Sequence, residues 1–416
     1  MARETRTGGR EATDAVIPGR FALSVGRPPR VPAPGFTWRL LTDLARLESG
    51  HTPSRSRADY WDGLIPWIGI RDATGNHGRT ILDTEQHVTQ EGIDNSSARV
   101  LPVGTVCLSR TASVGYVVTM GVPMATSQDF VNWVCGPQLV SRYLHYLLIA
   151  EQETIRRVAY GSVHPTLYYP DAKALHVCVP EVGVQRAIAE VLGALDDKIA
   201  ANTHLATTAD ALAACTLRSS LTGRSAPLGE IATVTMGSSP AGSSYNEVGV
   251  GVPFFQGVRD FGLRSPDERV YTTEPVRMAA HGDTLVSVRA PVGRVNIAST
   301  ELCIGRGLAA VRSRVATPWT LFHLLRDQPE IWEPYEAEGT VFGSINRDHL
   351  TRITLPLVDE SASTRLEVEL SRIEARLEAA INESQTLAAT RDALLPALMS
   401  GALRVRDAER MAGEVV

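Results

Sequence analysis

In the stretch SRTASVGYV (109–117), Arg110 is flanked by small hydroxyl residues and Gly115 stands near the end. SVRAPVGRV (287–295) has the same build: Ser287 answers Ser109, Gly293 answers Gly115, and Arg289 lies one place beyond Arg110's position. A guanidinium offers planar, two-point hydrogen bonding, which suits guanine edges and phosphates better than an ammonium does. Glycine permits a tight turn or a close backbone approach. That is the chemistry of recognition, and neither stretch is read as a catalytic serine motif. Arg71 and Arg259 form a second matched pair, each followed by Asp, and Gln128 aligns with Arg306. Ser113, Ser162, His164, Ser344, Asn346 and Arg347, near expected loop tips, complete the candidate contact set.

Bond-making chemistry finds little support. The Asn/Asp-Pro-Pro-aromatic tetrapeptide of methyl transfer is absent, as is an FxGxG-like turn. GVGVP (249–253) lacks the third glycine of a dinucleotide fingerprint, and Pro253 stands where a helix should begin. No GxxxxGK[ST] phosphate loop occurs. PDAK (170–173) lacks the second acidic residue of a nuclease metal motif and reads as a strand-edge turn. The histidines show neither HxxxH nor HExxH spacing, so no metal site is expected. The five cysteines have no CxxC spacing, which suits a reducing cytoplasm and argues against a zinc site or a disulfide framework. No apolar run reaches membrane-spanning length. Net charge is −5, so charge alone gives no reason to expect nucleic-acid binding. Lys173 and Lys198 are the only lysines among 41 basic residues, a bias that a GC-rich coding sequence accounts for.

The elements that must position these residues come in two copies. LTDLARLESGHTP (41–53) matches LGEIATVTMGSSP (228–240) at an offset of 187, and IPWIGIRD (65–72) faces VPFFQGVRD (252–260). The two serine–glycine stretches follow at an offset of 178, and GSVHPTL (161–167) meets GTVFGSI (339–345) at the same offset. Each copy has short β-rich runs broken by Gly and Pro, such as TVCLS and TLVSV. Each then ends in a helical pattern.

In the first helical arm Ile188, Leu192, Leu195, Ile199 and Leu205 recur mostly at steps of three and four. In the second, Leu366, Leu370, Ile373, Leu377 and Ile381 do the same. Each stripe needs an apolar partner, and the other arm is the simplest one. An arm of roughly 33 residues would be ~50 Å long. Asn202 would sit near the seam, where a polar residue can fix register. The expected division is a flexible Arg/Pro/Gly-rich tail (1–35), a first domain (36–180), a central helical spacer (181–223), a second domain (224–358), a C-terminal helical spacer (359–405) and a tail (406–416), with SLTGRSAP (220–227) read as the linker between the first arm and the second unit. The expected class is α+β: two domains of mixed α/β structure, each followed by a long helix. The helices would pack as an antiparallel coiled coil with pseudo-two-fold symmetry.

The whole of 36–405 resembles a specificity subunit of a type I restriction–modification system. VGTVCLSRTASVGYVV (103–118), HGDTLVSVRAPVGRV (281–295) and ATSQDFV (125–131) resemble the family's strand, turn and following segment. Pro180, Gln185, Ile188, Ala189, Leu192, Leu195 and Asp196 resemble the opening of its spacer, and LLPALMSGALRV (394–405) its usual ending. Val184 replaces the family's Glu before Gln185, and the second arm has Thr364 and Arg365 where the glutamine would stand. Gly305-Arg306 replaces Ser-Gln in the second copy.

The resemblance implies a non-catalytic, cytoplasmic subunit that reads the two halves of a split sequence in double-stranded DNA. It implies two methyltransferase subunits as partners, using S-adenosylmethionine, and restriction/translocase subunits using ATP and Mg. No cofactor is implied in this chain itself. Two other readings stay open: the specificity region of a fused restriction–methylation enzyme, and a helical scaffold that has lost DNA reading.

Overall fold

The computed structural model describes residues 16–161, 165–336 and 344–415. The chain forms two compact units, one of Met1–Ala200 with Gln385–Val416, the other of Ala201–Ser384.

The first unit holds a five-stranded sheet in the order Ala45–Ser49, Phe130–Cys135, Val106–Ser109, Val117–Met120, Arg79–Ile81. Its central strands are buried on both faces, which explains the near-continuous apolar runs FVNWVC and VCLS. The helix Ser141–Ala150 packs over one face through Tyr143, Leu144 and Leu147. A smaller sheet sets Trp61–Ile68 between Ala125–Thr126 and Gln86–Val88. A third places Leu175–Pro180 between Phe36–Leu40 and Leu23–Val25, with Ile17–Pro18 at the edge.

The second unit repeats this plan. Ala232–Met236, Leu308–Ser313, Thr284–Ser287 and Val295–Ile297 form its main sheet in that order. Val252–Phe255 lies between Tyr271–Thr272 and Leu302–Ile304, antiparallel to the first and parallel to the second. Trp61–Ile68 has the same relation to Gln86–Val88 and Ala125–Thr126. Leu221–Pro227 pairs with Thr354–Val358 as Phe36–Leu40 pairs with Leu175–Pro180. The duplication expected from the sequence is therefore present in four strands of the main sheet and in the paired smaller strands, whereas Arg79–Ile81, Leu23–Val25 and Ile17–Pro18 have no counterpart among the described strands of the second unit.

Four expectations need correction. Residues 16–35 are not a mobile tail, because Leu23–Val25 joins a sheet and Ala22, Leu23 and Val25 are buried. The buried Glu151 carboxylate accepts the backbone amides of Arg20, Phe21, Ala22 and Leu23 at 2.6–3.2 Å and so fixes that segment. Residues 1–15 lie outside the described residues. SLTGRSAP is not a linker but contains the strand Leu221–Pro227. The 406–416 tail is mostly helix, Val405–Gly413, with Ala408 buried. PDAK belongs to the short helix Tyr169–Lys173 and not to a turn at a strand edge.

The two long helices are Val182–Ser219 and Glu360–Met399, of 38 and 40 residues. The shorter would measure about 57 Å, somewhat more than the sequence suggested. They are not separate spacers, because each contributes one part to each unit. In the first unit Ile188, Leu192 and Leu195 share a core with Leu387, Leu394 and Leu398, and Asp196 pairs with Arg391 at 2.7 Å. In the second, Ala213 and Leu217 share a core with Leu366 and Leu370. There Asn202 donates to Glu383 at 2.8 Å, and Asp210 and Glu374 bind the same Arg264 guanidinium. Within the second unit the partner number falls from Glu383 to Glu374 as the first helix rises from Asn202 to Asp210, so there the two stretches run antiparallel. Leu377 is fully buried, whereas Ile199, Leu205, Ile373 and Ile381 are half-buried. Asn202 and Ala206 are more deeply buried than Leu205.

Candidate nucleic-acid interface

The paired serine–glycine stretches fold into one and the same turn. The buried Ser109 hydroxyl donates to the Ser113 carbonyl and accepts the Tyr116 amide at 2.8 Å. Ser287 donates to the Pro291 carbonyl at 2.7 Å and accepts the Arg294 amide at 2.8 Å. Gly115 and Gly293 each donate to the carbonyl of that serine at 3.0 Å, with φ of +91° and +79°. The serine is thus the internal brace of the turn, and the residues between serine and glycine form its tip.

In the first unit the tip gathers several candidates. Arg110 donates from Nε to the Gln128 carbonyl at 3.1 Å and from Nη1 to the Leu167 carbonyl at 3.3 Å, with its guanidinium 4.7 Å from the Tyr169 ring centroid. Much of its hydrogen-bonding capacity therefore holds loops together. Gln128 is exposed, and its side chain accepts from Thr52. Ser113 is half-buried beside the segment that holds Pro165. Arg71 lies in the helix Ile70–Gly75, exposed, with its nearest carboxylate contact Glu85 at 3.6 Å. Ser162 and His164 lie outside the described residues.

The second unit builds the corresponding cluster from different side chains. Arg289 bridges to Ser344, and Val288 donates to Gly307 at 2.9 Å. The amide of Arg306 lies 3.4 Å from the Ser239 hydroxyl, which donates to Gln256 at 2.9 Å. Arg259 is exposed in the turn Val258–Asp260, two residues after Gly257. Arg289, Arg306 and Ser344 are exposed and contiguous through these bonds. Asn346 has a structural task, since its side chain accepts the His349 amide and caps the helix Arg347–Arg352. Arg347 is exposed at the start of that helix.

Sequence reasoning missed Thr52 and Ser239, although they occupy matching positions in the aligned 41–53 and 228–240 segments. It also missed Arg55, Trp61 and Gln86 in the first unit and Gln256 in the second. The matched windows did contain Thr52 and Ser239; only contact with Gln128 and Arg306 marks them as part of the cluster.

Among the described residues no group of three or more His, Cys, Asp or Glu could hold a metal ion. No described helix is long and apolar enough to cross a membrane.

The sequence profile of the type I restriction modification DNA specificity domain matches residues 35–209. Over those residues the chain is similar to such a specificity domain. A protein of Methanocaldococcus jannaschii assigned as the MjaX type I restriction enzyme specificity subunit is 36% identical over 176 residues, 42% of this chain and 41% of that protein. The MjaIX specificity subunit of the same organism is 32% identical over 161 residues, 38% of this chain and 37% of that protein. The matched part thus spans about two fifths of these relatives. The fold is similar to the crystal structure of a type I restriction–modification system S subunit from M. genitalium, with a TM-score of 0.62 and 17% identity. That likeness covers 87% of this chain and 96% of the other.

Proposed function

We propose that the chain is a non-catalytic specificity subunit of a type I restriction–modification complex, with one target-recognition domain in each unit. One observation above others supports this. Both units erect the same serine-braced turn, yet they surround it with different side chains: Arg110, Gln128 and Thr52 against Arg289, Arg306 and Gln256. Two readers of one type with unlike contact chemistry suit the two unlike halves of a split DNA sequence.

In this reading the long helices form an antiparallel coiled coil with pseudo-two-fold symmetry, and their length sets the unread gap. About 57 Å corresponds to roughly one and a half turns of DNA. The partners are two methyltransferase subunits that bind S-adenosylmethionine and flip out the target base, and restriction/translocase subunits that use ATP and Mg. The complex works in the cytoplasm. A net charge of −5 is compatible with this because those partners supply much of the phosphate contact.

The test is reconstitution with the modification subunits, followed by methylation mapping of random DNA by long-read sequencing. The expected result is methylation at a two-part sequence with a fixed unread gap. Methylation without sequence preference, or at one uninterrupted motif, overturns the reading.

A further inference from the structure

The loop after Gly50 in the first unit presents an arginine that the repeat lacks. Both tryptophans of the strand Trp61–Ile68 fasten this loop: Trp67 Nε1 donates to the His51 carbonyl at 3.1 Å, and Trp61 Nε1 to the Ser54 carbonyl at 3.2 Å. Thr52 ties the same loop to Gln128. The two indoles meet edge to face, with centroids 5.2 Å apart. Arg55 lies against them, its guanidinium carbon 3.7 Å from the Trp61 centroid and 5.0 Å from that of Trp67. Its Nη2 donates to Gln86 Oε1 at 2.9 Å, and Gln86 is the cross-strand partner of Trp67.

Arg55 is exposed, and among the described residues its guanidinium makes no other hydrogen bond. The ring stack limits its tilt, and the bond to Gln86 limits its rotation. A flexible exposed arginine would give up considerable side-chain freedom on binding; this one has already lost most of it. The cluster continues to Arg71 through Glu85, the neighbour of Gln86.

The second unit has a different aromatic pair nearby, Tyr245 stacked on Phe254 at 4.8 Å; at the 187-residue offset Phe254 matches Trp67, whereas Val248 stands at the position of Trp61. At the same offset the position of Arg55 is Gly242.

We propose that Arg55 is a base-reading residue of the first domain, its remaining in-plane N–H groups pairing with the O6/N7 edge of a guanine in one half-site. Trp61 and Gln86 are positioning residues that fix the plane of the guanidinium. A guanine edge requires a fixed plane, whereas a phosphate accepts a positive charge from many directions. This rests on the DNA-reading function proposed above.

The experiment compares the wild-type complex with Arg55→Lys, Arg55→Ala and Gln86→Ala by methylation mapping and by DNA binding across a salt series. Arg55→Lys keeps the charge and loses the planar fork. It is expected to relax one guanine position of one half-site by about ten- to hundred-fold, with the other half-site and the salt slope unchanged. Gln86→Ala is expected to relax the same position to a smaller degree. An unchanged motif overturns the proposal while leaving the DNA-reading function intact. So does wild-type behaviour in Arg55→Lys combined with a salt slope shallower by about one in Arg55→Ala, the mark of a phosphate contact. Failure of the wild-type complex to methylate any split sequence overturns both together.

Discussion

Ser109 and Ser287 show how a residue type that suggests chemistry can serve architecture. Each hydroxyl joins the two ends of a turn while being nearly or wholly inaccessible. Ser287→Ala is expected to lower stability by about 1–3 kcal/mol, because the Arg294 amide loses its acceptor; the urea midpoint measures this. The paired glycines differ more than the sequence suggests. A Cβ on Gly293 would lie 2.2 Å from Trp332 Cγ, whereas one on Gly115 would meet the flexible Gln152 side chain at 3.0 Å. Both have positive φ, so both substitutions bring strain. Gly293→Ala is expected to cost at least ~2 kcal/mol and more than Gly115→Ala; equal costs would contradict the packing argument. Arg289→Ala should leave stability unchanged and degrade one half-site in methylation mapping. Arg110→Ala should degrade the other half-site and also lower the melting temperature, since it releases two loop carbonyls.

At the scale of elements, the helical stripes were legible because burial on one side of a helix imposes a spacing of three to four residues. Val106–Ser109 and Thr284–Ser287 were legible as short apolar runs between turn residues. The ordered segment 16–35 was not, since its strands are two and three residues long and its anchor, Glu151, lies about 130 residues away. Glu151→Ala should therefore free this segment, seen as faster amide exchange at residues 20–25 and faster tryptic cleavage at Arg20. Unchanged exchange would show that the sheet alone suffices.

Two buried histidines respond to pH in opposite directions. Burial disfavours a charged His323, yet bonds to Asp327 and Glu374 outweigh this and hold its pKa above the ordinary value. Its stabilising effect is complete below about pH 6.5 and lost as pH rises through the higher folded value. Burial lowers His145 to about 4, so its neutral form stabilises the first unit above about pH 6.5 and that contribution fades as pH falls toward 4. The melting temperature of His323→Gln should accordingly fall further below wild type at pH 6 than at pH 9. An equal gap at both would exclude a protonated His323 in the fold.

For the whole molecule, duplication was the feature most open to reading, because two copies of one fold preserve the order of turns after side chains diverge. The division of each long helix between units was not open to reading, since an apolar stripe records that a helix is buried and not by which unit. Under the proposed function, inserting four residues after Leu205 with a matching insertion in the second long helix should change the unread gap while both half-sites persist. An unchanged gap in methylation mapping would show that helix length does not set it.

The path of the chain has a consequence for its synthesis. Residues 201–384 make up one unit without a break, whereas the other requires both the start of the chain and Gln385–Val416. Leu387, Leu394, Leu398, Met399 and Ala408 belong to the same core as Leu23, Trp133 and Leu192. The domain begun first on the ribosome is therefore the last to be finished, and its apolar helix face waits uncovered while the second unit folds. A nonsense codon within 385–416 would remove part of the first unit's core while leaving the second unit's residues intact.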